Sequence, residues 1–186
     1  MRVVFMGPPG AGKGTQAQIV SAALGIPHIS TGDLFRANVG GGTPLGLEAK
    51  RYMDAGEYVP DSVTNGMVRS RIAEPDCSPG FLLDGYPRTL DQVAELDAML
   101  AEGGASLDRV VELTVVTDEV VERLLLRAQT SGRSDDTEDV IRRRLEVYTE
   151  QTEPLTSVYS DRGILVRVDG MGEIDDITAR VLAALR

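Results

Sequence analysis

Apolar positions along the chain fall into two patterns. Short continuous runs, bounded by turn-forming residues, alternate with longer stretches in which apolar residues recur every three or four positions. The runs at 2–6 (RVVFM), 81–83 (FLL, closing on Asp84), 109–116 and 164–168 predict buried strands, with 27–29 as a short further one. The spaced stretches predict helices over 13–24, 45–55, 61–73, 89–102, 118–127 and 173–185. Gly25 and Pro27 stop the first of these, and Ser30 or Thr31 can cap another running to about residue 38. Gly56 stops the helix over 45–55, and Val63, Met67 and Val68 share one side of 61–73. Thr117 can cap 118–127, and Asp136 or Thr137 can cap a long helix that Pro154 interrupts. GGGTP at 40–44 and the polar QTSGRSDD at 129–136 break the pattern. Strands that are mostly continuous apolar runs, alternating with helices, predict an α/β fold, a three-layer sandwich with a central parallel sheet covered on both faces.

The length of 186 residues suffices for one full-sized core and small excursions, not for a second large domain. No apolar run approaches the roughly 18 residues that span a bilayer. No signal-like segment precedes the first strand, so a cytoplasmic protein is expected. The single cysteine, Cys77, excludes an intramolecular disulfide and a Cys-rich zinc site; it reads as a small filler near a strand start. The only histidine, His28, reads as structural, with nothing in the sequence to tie it to phosphate chemistry. A formal net charge of −10 argues against nonspecific binding to nucleic acid or to an anionic membrane.

That charge sits oddly with the next feature. Gly7 to Lys13 reads G-x-x-x-x-G-K between a predicted strand and a predicted helix, the order of a phosphate-binding P-loop. Glycines let backbone N–H groups turn toward an anion, the helix N-terminus adds its dipole, and Lys13 adds a mobile cation. The usual next residue is a Ser or Thr that holds Mg²⁺; here it is Gly14, and the first hydroxyl is on Thr15. An acidic chain can hold polyphosphate only if its cations are gathered at the site. The arginines fall in clusters that a fold can gather.

GPPGAGKGTQ, with its GKGT ending, resembles the P-loop of adenylate kinases and other nucleoside monophosphate kinases. Three further stretches carry the resemblance in the expected order: STGDLFR (30–36), GFLLDGYPRTLDQ (80–92) and the arginine-bearing run 123–144. It spans nearly the whole chain and implies a single P-loop kinase domain over 1–186. Its core would be 1–29, 60–126 and 138–186, with a helical acceptor-binding excursion at 30–59 and a short lid loop at about 127–137. Many bacterial members insert a larger lid, sometimes with a cysteine-based zinc site; here the gap is only a loop, so no structural zinc is expected.

The resemblance implies ATP with Mg²⁺ as donor, AMP as acceptor, and two ADP as product, in adenine nucleotide homeostasis. ATP would lie on Gly10, Ala11, Gly12, Lys13, Gly14 and Thr15, with Arg123, Arg127 and a backbone carbonyl of Gly172. AMP would contact Thr31, Arg36, Glu57, Tyr58, Val59, Gly85, Tyr86, Pro87, Arg88, Gln92, Arg133 and Arg144. Gln92 would read the adenine edge, although Thr89-x-x-Gln92 also fits a helix capping box. Mg²⁺ would be held mainly by phosphates and water, with Asp84 acting through water, as suits an ion that takes few protein ligands. Lys13, Arg88, Arg123, Arg133 and Arg144 would neutralise the transferring charge, whereas Arg142 and Arg143 read as solvated surface. Asp135 and Asp136 could pair with lid arginines or cap the next helix. Monomer is the family expectation. The alternatives are a UMP/CMP-type kinase and a non-catalytic ATP-binding switch.

Overall fold

The computed structural model describes residues 1–131, 133 and 137–186. A five-stranded parallel sheet forms its centre. In chain order the strands are β1 (Arg2–Met6), β2 (His28–Ser30), β3 (Phe81–Asp84), β4 (Arg109–Thr114) and β5 (Leu165–Asp169), and they lie side by side as β2-β3-β1-β4-β5. The helices are α1 (Lys13–Leu24), α2 (Thr31–Gly40), α3 (Pro44–Asp54), α4 (Asp61–Ile72), α5 (Leu90–Glu102), α6 (Thr117–Ser131), α7 (Glu138–Val147), α8 (Leu155–Asp161) and α9 (Ile174–Ala184).

From Val3 to Met6 β1 is apolar because both of its faces are covered. Val4 and Met6 pack with Leu83 of β3, Val93 and Leu96 of α5, Val68 of α4, and Leu155 and Tyr159 of α8. Val3 and Phe5 pack on the opposite face with Ala17 and Val20 of α1 and with Ile177 and Val181 of α9. Truncating such a side chain, Leu83→Ala for instance, costs about 2–5 kcal/mol. The chain crosses from one side of β1 to the other, so a crevice opens beyond the carboxyl ends of β1 and β3, where open α/β sheets hold ligands. The phosphate loop leaves β1 at that point, and Asp84 ends β3 beside it, in register with Phe5.

The predicted caps form as read for two helices. The Ser30 hydroxyl accepts from the Asp33 N–H at the start of α2, and the Thr89 hydroxyl accepts from the Gln92 N–H at the start of α5. Thr137 holds the N-cap position of α7 without a side-chain bond. The side chain of Thr117, and both Asp135 and Asp136, lie outside the described residues.

One boundary differs from expectation by a full helical turn. α6 continues past residue 127 to Ser131, taking in the first part of the expected lid loop. Ala128 and Gln129 favour helix, and the tertiary scaffold anchors the buried face of α6 through Val120 and Leu124. The long helix before β5 is interrupted at Pro154, as the sequence predicts, and α7 ends in one π-helical turn, Tyr148–Thr152, closed by the Glu153 N–H donating to the Tyr148 carbonyl. α8 follows Pro154. Cys77 is buried, as expected of a filler, and burial pushes its thiol up to about 11.

Candidate active site

Two cavities meet above the sheet's carboxyl edge. The first is lined by Thr31, Phe35 and Arg36 of α2, by Gly56, Glu57, Tyr58 and Val59 after α3, and by Gly85, Pro87, Arg88 and Gln92. The second is lined by Gly10, Gly12, Lys13, Gly14 and Thr15 of the phosphate loop, by Asp84, and by Arg123, Arg127 and Arg133. Lys13, Arg36, Arg88 and Arg144 line both. Four cations from well-separated parts of an acidic chain therefore stand where the cavities join, which removes the conflict between net charge and phosphate binding.

The phosphate loop is built as its sequence requires. Gly7, Gly10 and Gly12 all take positive φ, and the Ala11 N–H closes a turn onto the Pro8 carbonyl. Lys13 Nζ donates to the carbonyls of Gly7 (2.7 Å) and Pro8 (3.0 Å). Burial lowers its pKa to about 8; Asp84 pulls it up, and Arg88, Arg144 and Arg127 push it down again.

Arg88 is oriented rather than loose. Its Nε donates to the Gly85 carbonyl at 2.7 Å, and its guanidinium lies 5.0 Å from the centroid of the Tyr58 ring. The Thr152 hydroxyl donates to the Arg88 carbonyl at 2.8 Å, so the 2.6 Å contact between Tyr58 and Thr152 must have the Tyr58 O–H as donor. The π-helical turn thus delivers Thr152 to a point where it braces both members of the cation–π pair. Gly85 has φ 82°, and a Cβ there would stand 2.7 Å from Thr31 Oγ1 and 2.9 Å from Arg88 Nη2. The close approach of α2 to this turn requires glycine.

Several predicted residues have partners that the sequence did not reveal. Thr31 Oγ1 donates to the Gly85 carbonyl at 2.9 Å, and Arg36 pairs with Asp33 at 2.5 Å. Gln92 is buried; its Oε1 accepts from the Arg88 N–H at 2.7 Å and its Nε2 donates to Asp61 Oδ1 at 2.8 Å. Its amide therefore does more than the simple capping box, since the bond it returns goes to the residue before the cap. Arg123 reaches Met171 Sδ at 3.9 Å, next to Gly172. Gly172, Ala11 and Tyr86 line neither cavity. Ala11 and Tyr86 are buried, with the Tyr86 hydroxyl donating to Asn65, while Arg180 braces the loop at Met171 and Gly172.

Two readings need correction. His28 is at the phosphate site, not remote from it: it lines the second cavity, and its Nε2 lies 3.7 Å from Asp84 Oδ2 with no hydrogen-bond partner among the described residues. β2 pairs with β3 with His28 opposite Leu82, two residues before Asp84 and so on the same face as it, which a local reading of a short apolar stretch cannot reveal. Arg143 is not plain solvated surface. It binds Glu57 at 2.6 Å, tying α7 to the segment after α3, whereas Arg142 pairs within its own helix with Glu138.

Asp84 is a single buried carboxylate facing the loop; a Cβ on Gly14 would stand 3.6 Å from its Oδ2. One carboxylate beside a phosphate-binding loop fits an ion that keeps most of its water and takes its other ligands from phosphate. Among the described residues no three His, Cys, Asp or Glu side chains gather into a metal-binding cluster. No described helix is long and apolar enough to cross a membrane.

The adenylate kinase family pattern matches residues 5–164. The chain belongs to the adenylate kinase family. An adenylate kinase of a Nocardioides species is 65% identical to it over 185 residues, covering 100% of this chain and 97% of the relative. That of Kocuria rhizophila is 63% identical, covering 99% and 98%, and that of Thermobifida fusca is 58% identical, covering 100% and 98%. Membership over the full length makes the chain a phosphotransferase acting from ATP to AMP, and the UMP/CMP-type alternative is not favoured.

Proposed function

We propose that the two cavities hold ATP and AMP with their phosphates meeting at Lys13, Arg36, Arg88 and Arg144. The observation that carries this reading is that these four cations line both cavities. AMP occupies the first cavity, with its base toward Gln92 and the backbone of 57–59 and its phosphate at Arg36 and Arg88. ATP lies along the phosphate loop, with Arg123, Arg127 and Arg133 above it and its adenine toward the loop at Gly172. Residues 30–59 form the acceptor-binding part, and the end of α6 with Arg133 belongs to a short lid, of which residues 132 and 134–136 lie outside the described residues.

Phosphoryl transfer asks little covalent work of the protein. These side chains align the acceptor oxygen with the γ-phosphorus and neutralise the charge that spreads over the phosphoryl oxygens. No protein nucleophile is needed. Asp84, through water, is the residue that would hold Mg²⁺, and the ion would offset the negative charge of the donor phosphates. The same reading extends to a monomer in the cytoplasm, supported by the family resemblance alone.

Lys13→Ala tests the assignment. ADP formation from ATP and AMP should fall by at least about 100-fold, as for loss of one charge-stabilising donor, while the circular dichroism of the folded protein is kept. Near-normal turnover would remove the proposed role of Lys13. A panel of AMP, UMP, CMP and GMP as acceptors, each with ATP, checks the assignment of the first cavity to AMP.

A further inference from the structure

Resting on the reading of Gln92 as the residue that meets the acceptor base, we propose that Asp61 fixes which way round the Gln92 amide faces. It thereby selects bases with an amino group beside an unprotonated ring nitrogen. Asp61 does not line the acceptor cavity. It stands at the first position of α4, and both of its carboxylate oxygens are used: Oδ1 accepts from Gln92 Nε2 at 2.8 Å, and Oδ2 accepts from Thr89 Oγ1 at 2.9 Å. Opposite it, the backbone N–H of Arg88 donates to Gln92 Oε1 at 2.7 Å.

These two neighbours dictate one orientation. A carboxylate only accepts and a backbone N–H only donates. A reversed amide would set oxygen against oxygen at Asp61 and NH₂ against N–H at Arg88, two mismatches around a side chain that is 2% exposed. In the fixed orientation each end of the amide has capacity for one more bond. Oε1 can accept a second hydrogen bond, and Nε2 can donate its second N–H.

That pair is complementary to adenine, whose 6-amino group donates and whose N1 accepts. Hypoxanthine and guanine present the reverse, an accepting 6-oxo group and a donating N1–H. Such a base could bind well only to a turned amide, which Asp61 and Arg88 resist together. Asp61 is thus a positioning residue: it acts on the acceptor base through Gln92. The sequence offered no sign of this role, since an acidic residue at the start of a helix is adequately explained by the helix dipole.

The test compares AMP with inosine monophosphate, which differs only at this edge. Initial rates with ATP and Mg²⁺ give the ratio of kcat/KM for the two acceptors in the wild type, Asp61→Asn, Asp61→Glu, Asp61→Ala and Gln92→Ala. Asparagine can present either an oxygen or an NH₂ to Gln92, so Asp61→Asn should lower the ratio about tenfold, and Asp61→Ala should do likewise. Asp61→Glu, which restores an acceptor, should keep more of it. Both rates come from one preparation, so the ratio is independent of how much protein is folded. A ratio unchanged within about twofold in Asp61→Asn and Asp61→Ala, while Gln92→Ala collapses it, would overturn the lock and leave the base-reading role intact. A ratio that survives Gln92→Ala would overturn the base-reading role itself, and the lock with it.

Discussion

Raising the pH from about 7.5 to about 9.5 should weaken the binding of metal-free ATP roughly 20-fold, and Lys13 should carry the effect. In the folded chain burial lowers the pKa of the Lys13 ammonium to about 8. Polyphosphate placed against the ammonium favours its charged form and returns its pKa toward the ordinary value of about 10.4. Phosphate monoesters lose their second proton near pH ~6, so the ligand's own charge is constant across the window. At about pH 7.5 some three-quarters of free Lys13 is charged, and at about pH 9.5 only some 3%, while the bound lysine stays mostly charged throughout. The quotient is the roughly 20-fold loss, about 1.8 kcal/mol.

Isothermal titration calorimetry in buffers of different ionisation enthalpy reads the same linkage directly. Near pH 8.5 binding should draw about three-quarters of a proton from solution. Lys13→Met should bind ATP weakly and with little pH dependence. The same shift bears on stability. Between about pH 8 and pH 10.4 the unfolded chain holds the Lys13 proton more tightly than the folded one, so ligand-free stability rises with pH across that window. Below it the buried charge is a cost, and Lys13→Met should melt higher at neutral pH while losing activity. An affinity flat within twofold over the pH range, no proton uptake, or an equal slope in Lys13→Met would refute the reasoning.

Two further perturbations test how the acceptor segment is held. Gly56 has φ 74°, and a Cβ there would stand 3.0 Å from the Val140 carbonyl, so Gly56→Ala should cost about 2 kcal/mol in urea unfolding; a change below about 0.5 kcal/mol would contradict the close packing of α7 on this turn. Thr152→Val removes the hydroxyl shared by Tyr58 and the Arg88 carbonyl; stability should fall by about 1–3 kcal/mol, and KM for AMP should rise more than kcat falls. An unchanged KM would mean that Thr152 braces the fold without helping to orient Arg88.

The strands, the layers and the phosphate loop were legible because each is written locally. A strand covered on both faces must be apolar at every position, as VVFM and FLL are, and a loop that cradles phosphate needs its glycines at fixed spacing. The cationic cluster was legible only through the order of motifs, since nothing local tells Arg144, which lines both cavities, from its neighbour Arg142, paired with Glu138.

What the tertiary structure alone decided is the set of polar partners around those motifs. His28 meets Asp84 because β2 lies beside β3; Tyr58 meets Thr152 across 94 residues; Arg143 meets Glu57 across 86; Gln92 meets Asp61 across 31. The hydrophobic pattern that specifies an element says which face is buried, at a period of two or 3.6 residues, and is silent on which distant polar group will face it. Those pairings are fixed by strand order and helix placement, and they set how the cations and the Gln92 amide are aimed.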